Sequence, residues 1–266
     1  MRDLAAQALL PVDATLGVAL LVLLLAAATT AAVFRLSPDR SYGRAREILL
    51  AGVRAAVQLG VVSLAIGWVI HHAVALFAFL LLMFAVAART AGRRITANGS
   101  WWWAALPIAG PVVPVVTCLA LAGLLPVRGI AMIPVTGILI GGALTATVLG
   151  GRRALDELHS RNGEFEAGLA IGLLERDARL ELIRPTASDA LLPGLDQTRT
   201  VGLVTLPGAF VGMLLGGASP VLAGAVQLFV LIALTAVQTI AVATTIELVA
   251  CGRLNRTHAA ARRTGA

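Results

Sequence analysis

Seven apolar runs separated by polar segments organise this chain, at residues 15–34, 48–70, 73–88, 101–125, 130–149, 201–217 and 221–250. A helix that crosses a bilayer needs about 20 predominantly apolar residues. The pattern predicts an all-α integral membrane protein of about seven transmembrane helices, a single permease domain over residues 1–266. The third run is short and extends toward Arg89. The last is long enough to tilt or to project beyond the lipid.

One polar segment is far longer than the rest. Residues 151–199 hold nine of the chain's 14 acidic residues and seven of its arginines. Leu155, Leu158, Phe165, Leu169, Leu173 and Leu182 recur there at roughly helical spacing. This predicts an amphipathic helical segment, because long loops without structure of their own are uncommon.

Composition agrees with a lipid setting. Hydrophobic residues make up 58% and charged residues 13%, against about 25% charged in a typical soluble domain. All 21 basic residues are arginine. With no lysine there is no phosphate-loop lysine, so ATP, if it drives this protein, binds to another subunit. Cys118 and Cys251 fall in different predicted helices and are expected as free thiols. No resident cofactor is expected.

The arginines set an orientation. With the N-terminus outside, 18 fall in cytosolic segments, two (Arg2 and Arg128) fall outside, and Arg54 lies within a span. The positive-inside rule favours this parity, with a cytosolic C-terminus. The net charge of +7 is therefore read as membrane anchoring and not as nucleic-acid binding. Trp101–Trp103 then form an interfacial belt at the start of the fourth span. Basic residues follow the first apolar run instead of preceding it, so a retained span is expected and not a cleaved signal peptide.

Bending residues crowd the later spans: Pro107, Pro111 and Pro114, then Pro134, then Pro207-Gly208. Gly208, Gly212 and Gly216 share a face at four-residue spacing, as do Gly137 and Gly141. Small residues so spaced let backbones approach, in static packing or at a subunit interface or gate.

Within the long segment, Glu166-Ala167-Gly168 is followed by Gly172, Leu182 and Pro185. This resembles the cytosolic signature of importer-type ABC permeases, with the spacing intact and Gly168, Leu182 and Arg184 as departures. The resemblance implies a coupling helix carrying Glu164, Glu166, Ala167, Gly168, Gly172 and Pro185, on which a separate ATP-binding subunit docks. Further motifs widen the likeness. Gly202 through Pro207-Gly208, then Gly212, Ser219-Pro220 and Gln227, with Arg54, Gln58-Leu59, Ile133-Pro134, Gly137 and Gly141 upstream, resemble the iron-export permease (FetB) family, whose plant members are linked to aluminium tolerance. The similarity covers roughly residues 45–250. It implies a permease in the bacterial plasma membrane that exports a metal ion such as iron, as a homodimer with two ATPase copies. Where the family carries Gly-Asn in the fifth span, this chain has Gly141-Gly142, so a substrate contact there does not carry over.

Pathway or gate candidates are Arg54, Gln58, Pro207, Gly208, Gly212 and Gln227. A central arginine costs about 2.5–3.5 kcal/mol on insertion scales, so Arg54 either snorkels or faces a polar interior. Further polar residues, Gln238, Thr239, Thr244, Thr245 and Glu247, follow along the last span, with Glu247 expected at the interface. His71 and His72 are a weak exit-side metal pair, so the metal ligands are unknown from sequence. An ATPase-independent carrier or channel is the alternative. A membrane-embedded enzyme lacks support, since there is no His-Glu-x-x-His or Gly-x-Ser-x-Gly motif.

Overall fold

The computed structural model describes residues 13–36, 43–125 and 129–256. Arg2, Arg40, Arg128, Arg262 and Arg263, which entered the orientation argument, lie outside them. Regular structure among the described residues is helical, apart from one isolated parallel bridge between Val201 and Thr205.

The chain divides into two units. The first is a helical hairpin of α1 (Ala14–Val33) and α2 (Gly43–Val69). Asp13 caps α1, its side chain accepting the Leu16 N–H at 3.1 Å. The Thr29 and Thr30 hydroxyls donate back to carbonyls within α1, so this helix exposes little unpaired polarity. The two helices meet where Leu24 covers Gly52; a Cβ on that glycine would sit 2.7 Å from the leucine methyls.

The second unit contains α3 (Ala73–Ile95), the 3-10 helix Gly99–Ala104, α4 (Ala105–Leu121) and α5 (Gly129–Ser160). Then come α6 (Asn162–Ala170), α7 (Glu175–Ser188), the short turn Asp189–Leu191, α8 (Leu192–Thr200), α9 (Gly208–Leu215) and α10 (Pro220–Ala250). Among the described residues, six helical segments are long and apolar enough to cross a membrane: Ala14–Val33, Gly43–Val69, Ala73–Ile95, Gly99–Leu121, Ala131–Ser160 and Pro220–Ala250.

Two boundaries differ from expectation. The third span runs on to Ile95, because Arg89, Arg93 and Arg94 can continue a helix while their long side chains reach water. The fifth runs on to Ser160, so residues 151–160 are helix and not loop. A larger difference concerns 201–217, expected as the sixth span. No continuous helix forms there; an irregular turn precedes α9, which has eight residues and spans about 12 Å. Gly202, at φ +84°, closes the turn, and Pro207 disfavours helical backbone at Leu206 before it.

Packing centres on α5 and α10. Gly142 lies under Leu234, where a Cβ would come within 2.2 Å of its Cδ1, and Gly150 lies against Val242. Equal steps along both helices mean that they run parallel and in register. Gly137 likewise admits the Met83 methyl of α3, at 2.9 Å from a Cβ. Gly141, expected to share this role, has nothing within 4 Å; its neighbour Gly142 makes the close approach.

The C-terminal ends of α3, α5 and α10 gather at one end of this unit. Ile95 packs on Gly151, and Arg256 Nε donates to the Ile95 carbonyl at 2.8 Å. The Thr96 hydroxyl donates to the Asn255 carbonyl at 2.8 Å, and Asn98 Nδ2 to the Asn255 side chain at 2.7 Å. Arg93, Arg94, Arg152, Arg153, Arg253 and Arg256 collect here, at what is called below the arginine end.

Because α5 and α10 are parallel, residues 161–219 must travel from the arginine end back to the opposite end. Arg179 Nη1 donates to the Ala250 carbonyl at 2.9 Å. Ala190 touches Gly150, and Gly194 lies against Gln238. Gln238 is about 18 Å along α10 from Ala250. The connector therefore climbs beside α10, and α8, which the sequence had assigned to the cytosolic loop, lies against the middle of that helix.

Candidate functional site

Two places along this connector carry the chemistry-bearing residues. The first is α6, at the arginine end. None of its residues is buried. Glu164, Glu166 and Ala167 are exposed, and Gly168 is half-buried against α7, where a Cβ would meet the Ala178 methyl at 3.4 Å. The Arg179 guanidinium lies over the Phe165 ring, 5.3 Å from its centre. The helix is thus held along one side and presents its acidic side to solvent.

Charged side chains fix the start of α6, and backbone hydrogen bonds close its end. Arg161 Nε donates to Glu164 at 2.7 Å, and Arg161 Nη1 to Glu157 at 3.2 Å, across the α5–α6 corner. The hydrogen bond from Arg161 holds the Glu164 carboxyl below its ordinary range. Asn162 Nδ2 donates to Glu166 at 2.7 Å. At the far end, the Gly172 and Leu173 N–H groups close the last turn onto Leu169 and Gly168. Gly172 has φ +97°, a backbone region that side chains disfavour, which explains the glycine at this place in the motif. Pro185 sits inside α7 and is exposed. The structure thus gathers five of the six coupling candidates on one short helix and its exit turn, and Pro185 on the helix that supports it.

A cleft of about 850 Å³ undercuts α6, between the ends of α5, α7 and α10, with Asp156, His159, Phe165, Arg179 and Arg256 among its walls. Arg176 of α7 reaches Glu247 of α10, and that hydrogen bond raises the arginine's pKa. Sequence reasoning had not linked these residues, which stand 71 positions apart.

The second place is the break between α8 and α9. The Thr200 carbonyl accepts the N–H groups of Leu203, Val204 and Thr205, and Gly202 N–H donates to the Thr205 carbonyl. Gly202, at φ +84°, permits this knot. Leu203, Val204 and Leu206 are exposed. Pro207 precedes α9, and Gly208 and Gly212 on that helix have nothing within 4 Å of a Cβ. Non-helical backbone at membrane depth is tolerated where it is covered by protein or lines a wet cavity.

Gln227 lies on α10 between the level of Gln238 and the start of that helix. It is buried, and its Oε1 has no hydrogen-bond partner. The α5–α10 register places Thr136 level with it, and the buried Thr136 hydroxyl is equally unpartnered. Sequence reasoning named Gln227 and missed Thr136, since a lone threonine in an apolar run carries no signal. Thr147 Oγ1, about 16 Å further along α5 toward the arginine end, is the third such atom among the described residues.

Arg54 and Gln58 lie on α2 in the first unit, both exposed and without a hydrogen bond or ion pair among the described residues. No group of three or more His, Cys, Asp or Glu side chains among the described residues is placed to hold a metal ion.

Long apolar helices, close glycine contacts and a broken connector define a multi-pass helical membrane protein. The chain belongs to the family described as Uncharacterised protein family (UPF0014), whose model matches residues 18–252. It is 33% identical over 210 residues to the UPF0014 membrane protein STAR2 of Oryza sativa subsp. japonica, covering 77% of this chain and 73% of that one. The UPF0014 membrane protein YjkA of Bacillus subtilis (strain 168) is 30% identical over 200 residues, covering 73% and 79%. The Probable iron export permease protein FetB of Escherichia coli (strain K12) is 32% identical over 112 residues, covering 42% and 43%. No solved structure matches the chain.

Proposed function

We propose that this chain is the membrane-spanning permease subunit of an ABC transporter, driven by a separate ATP-binding subunit that docks on α6. The observation that carries this reading is the form of α6. A short exposed helix with the Glu166-Ala167-Gly168 motif ends at Gly172, in a left-handed conformation, and rests on α7, which is tied by Arg176 and Arg179 to the end of α10. A push on α6 has a rigid route through α7 and the turn at Ala190 to the break at 201–207. Discontinuous helices commonly frame substrate paths in transporters. In this reading the arginine end faces the cytosol, by the positive-inside rule, and the N-terminus lies outside.

The cargo proposed is a metal ion such as iron, moved outward; the support is the partial likeness to FetB. A homodimer is proposed because α9 offers Gly208 and Gly212 on an uncovered face, where a second copy can approach closely.

The test uses the full chain with the ATPase encoded nearest to it. Co-purification is expected, with ATP-dependent metal movement in proteoliposomes, and Glu166→Arg should abolish both while leaving the purified permease folded. Transport that proceeds without any ATPase would sink the proposal in favour of a stand-alone carrier.

A further inference from the structure

The arginine end contains a second cleft, of about 410 Å³, which shares the walls Asp156 and Arg256 with the one beneath α6. Arg93, Arg94, Arg152 and Arg256 line it, with Asp156 as its single acid. Arg256 is already engaged with Asp156 and with the Ile95 carbonyl. Arg93 donates to the Ala97 carbonyl at 3.3 Å and lies over the Trp101 ring, 5.3 Å from its centre. Arg94 and Arg152 are exposed and have no hydrogen bond or ion pair among the described residues. Four cations against one carboxylate leave a strongly positive hollow with two free guanidinium groups.

Its depth is set by its neighbours. Arg93 and Arg94 lie in the last turn of α3, where that span ends, and the 3-10 helix with Trp101–Trp103 begins the next. Tryptophans gather at the headgroup level of a bilayer. Further along the chain, Trp102, Trp103, Ala105, Leu106 and Ala109 line a separate shallow groove of about 270 Å³ whose surface is almost wholly apolar. Arg253 sits over the Trp103 ring, 4.6 Å from its centre. An arginine hollow at headgroup depth, close in sequence to tryptophans that mark the edge of the lipid, matches one class of molecule, a phospholipid with a net negative headgroup. A zwitterionic lipid carries an ammonium that offsets its phosphate, so a net negative headgroup gains more from the uncompensated charge here.

We infer that this chain holds an anionic phospholipid, its phosphate between Arg94 and Arg152. The site is independent of the coupling reading above.

The experiment is lipid retention by the purified full-length chain in a neutral detergent, read by native mass spectrometry and by melting temperature. The probes are phosphatidylglycerol, phosphatidylcholine and inorganic phosphate. Wild type should retain phosphatidylglycerol selectively and melt higher with it. The double variant R94Q/R152Q should weaken retention by about tenfold or more, given the attraction of each arginine for an anionic headgroup. R46Q/R184Q removes the same charge elsewhere and should retain the lipid as wild type does. Equal retention of the two lipids, an unchanged R94Q/R152Q, or displacement of phosphatidylglycerol by millimolar phosphate would each overturn the inference. Melting of every variant without added lipid separates loss of binding from loss of fold.

Discussion

Arg176 Nη2 donates to both carboxylate oxygens of Glu247 at 2.8 Å, and its Nε to one of them at 3.1 Å, so α7 is joined to the last turn of α10 by a forked ion pair. Both side chains are about half exposed, and pairs of this kind contribute about 1 kcal/mol or less. Arg176→Glu should therefore barely change the melting temperature in detergent. If α7 transmits motion to α10, the same change should cut ATP-dependent transport severely, and adding Glu247→Arg should restore most of it. Equal losses in the single and double variants would mean that the pair is incidental.

Gly92→Ala tests the α3 end. A Cβ there would lie 2.0 Å from the Trp101 carbonyl oxygen and 2.8 Å from its carbon. Backbone cannot swing aside as a side chain can, so a loss of about 1–3 kcal/mol is expected, typical of overpacking. Gly208→Ala, with open space at the same atom, should leave the melting temperature of a dilute monomer unchanged. Thermal melts of both proteins at matched detergent and lipid give the comparison.

Gly194→Ala should behave differently from Gly92→Ala. Its Cβ would meet Gln238 Oε1 at 2.1 Å, the end of a flexible side chain. A smaller loss is expected, and Gln238→Ala should relieve it. The double variant should then be more stable than the sum of the two single changes predicts, which a double-mutant cycle reads directly.

Gln227→Leu and Thr136→Val remove buried polar atoms that have no partner. Replacing an unsatisfied buried group by an apolar one is neutral or stabilising. Melting temperatures should hold or rise. Transport should fall if these oxygens face the cargo route, and unchanged transport in a more stable protein would assign them a packing role only.

The long helices were legible because hydropathy reports transfer into lipid, and lipid leaves the backbone few alternatives to helix. Helix ends were less so: Arg89, Arg93 and Arg94 look like a loop by charge, yet their stems extend α3 to Ile95. Residues 201–217 are as apolar as their neighbours, and apolarity cannot distinguish a helix from a knot closed on the Thr200 carbonyl. Pro207 held that information, but a proline within an apolar run reads equally as a bend. The α6 motif was legible from spacing, since Gly172 occupies the left-handed turn that ends the helix. Contacts such as Arg176 to Glu247, or Arg256 to Ile95, join positions too distant in sequence for any local pattern to suggest them.

The knot at 201–207 also bears on biosynthesis. An insertion machinery that sorts segments by apolarity meets residues 201–217 as an ordinary candidate for lipid, whereas the finished fold keeps only Gly208–Leu215 helical. The irregular turn follows α8, whose Gly194 lies against Gln238 of α10, so it reaches its final place only once α8 has docked on α10. Assembly of this connector is then a late, packing-dependent step, and variants at the α5–α10 glycines should show up first as protein that inserts normally but is cleared by quality control.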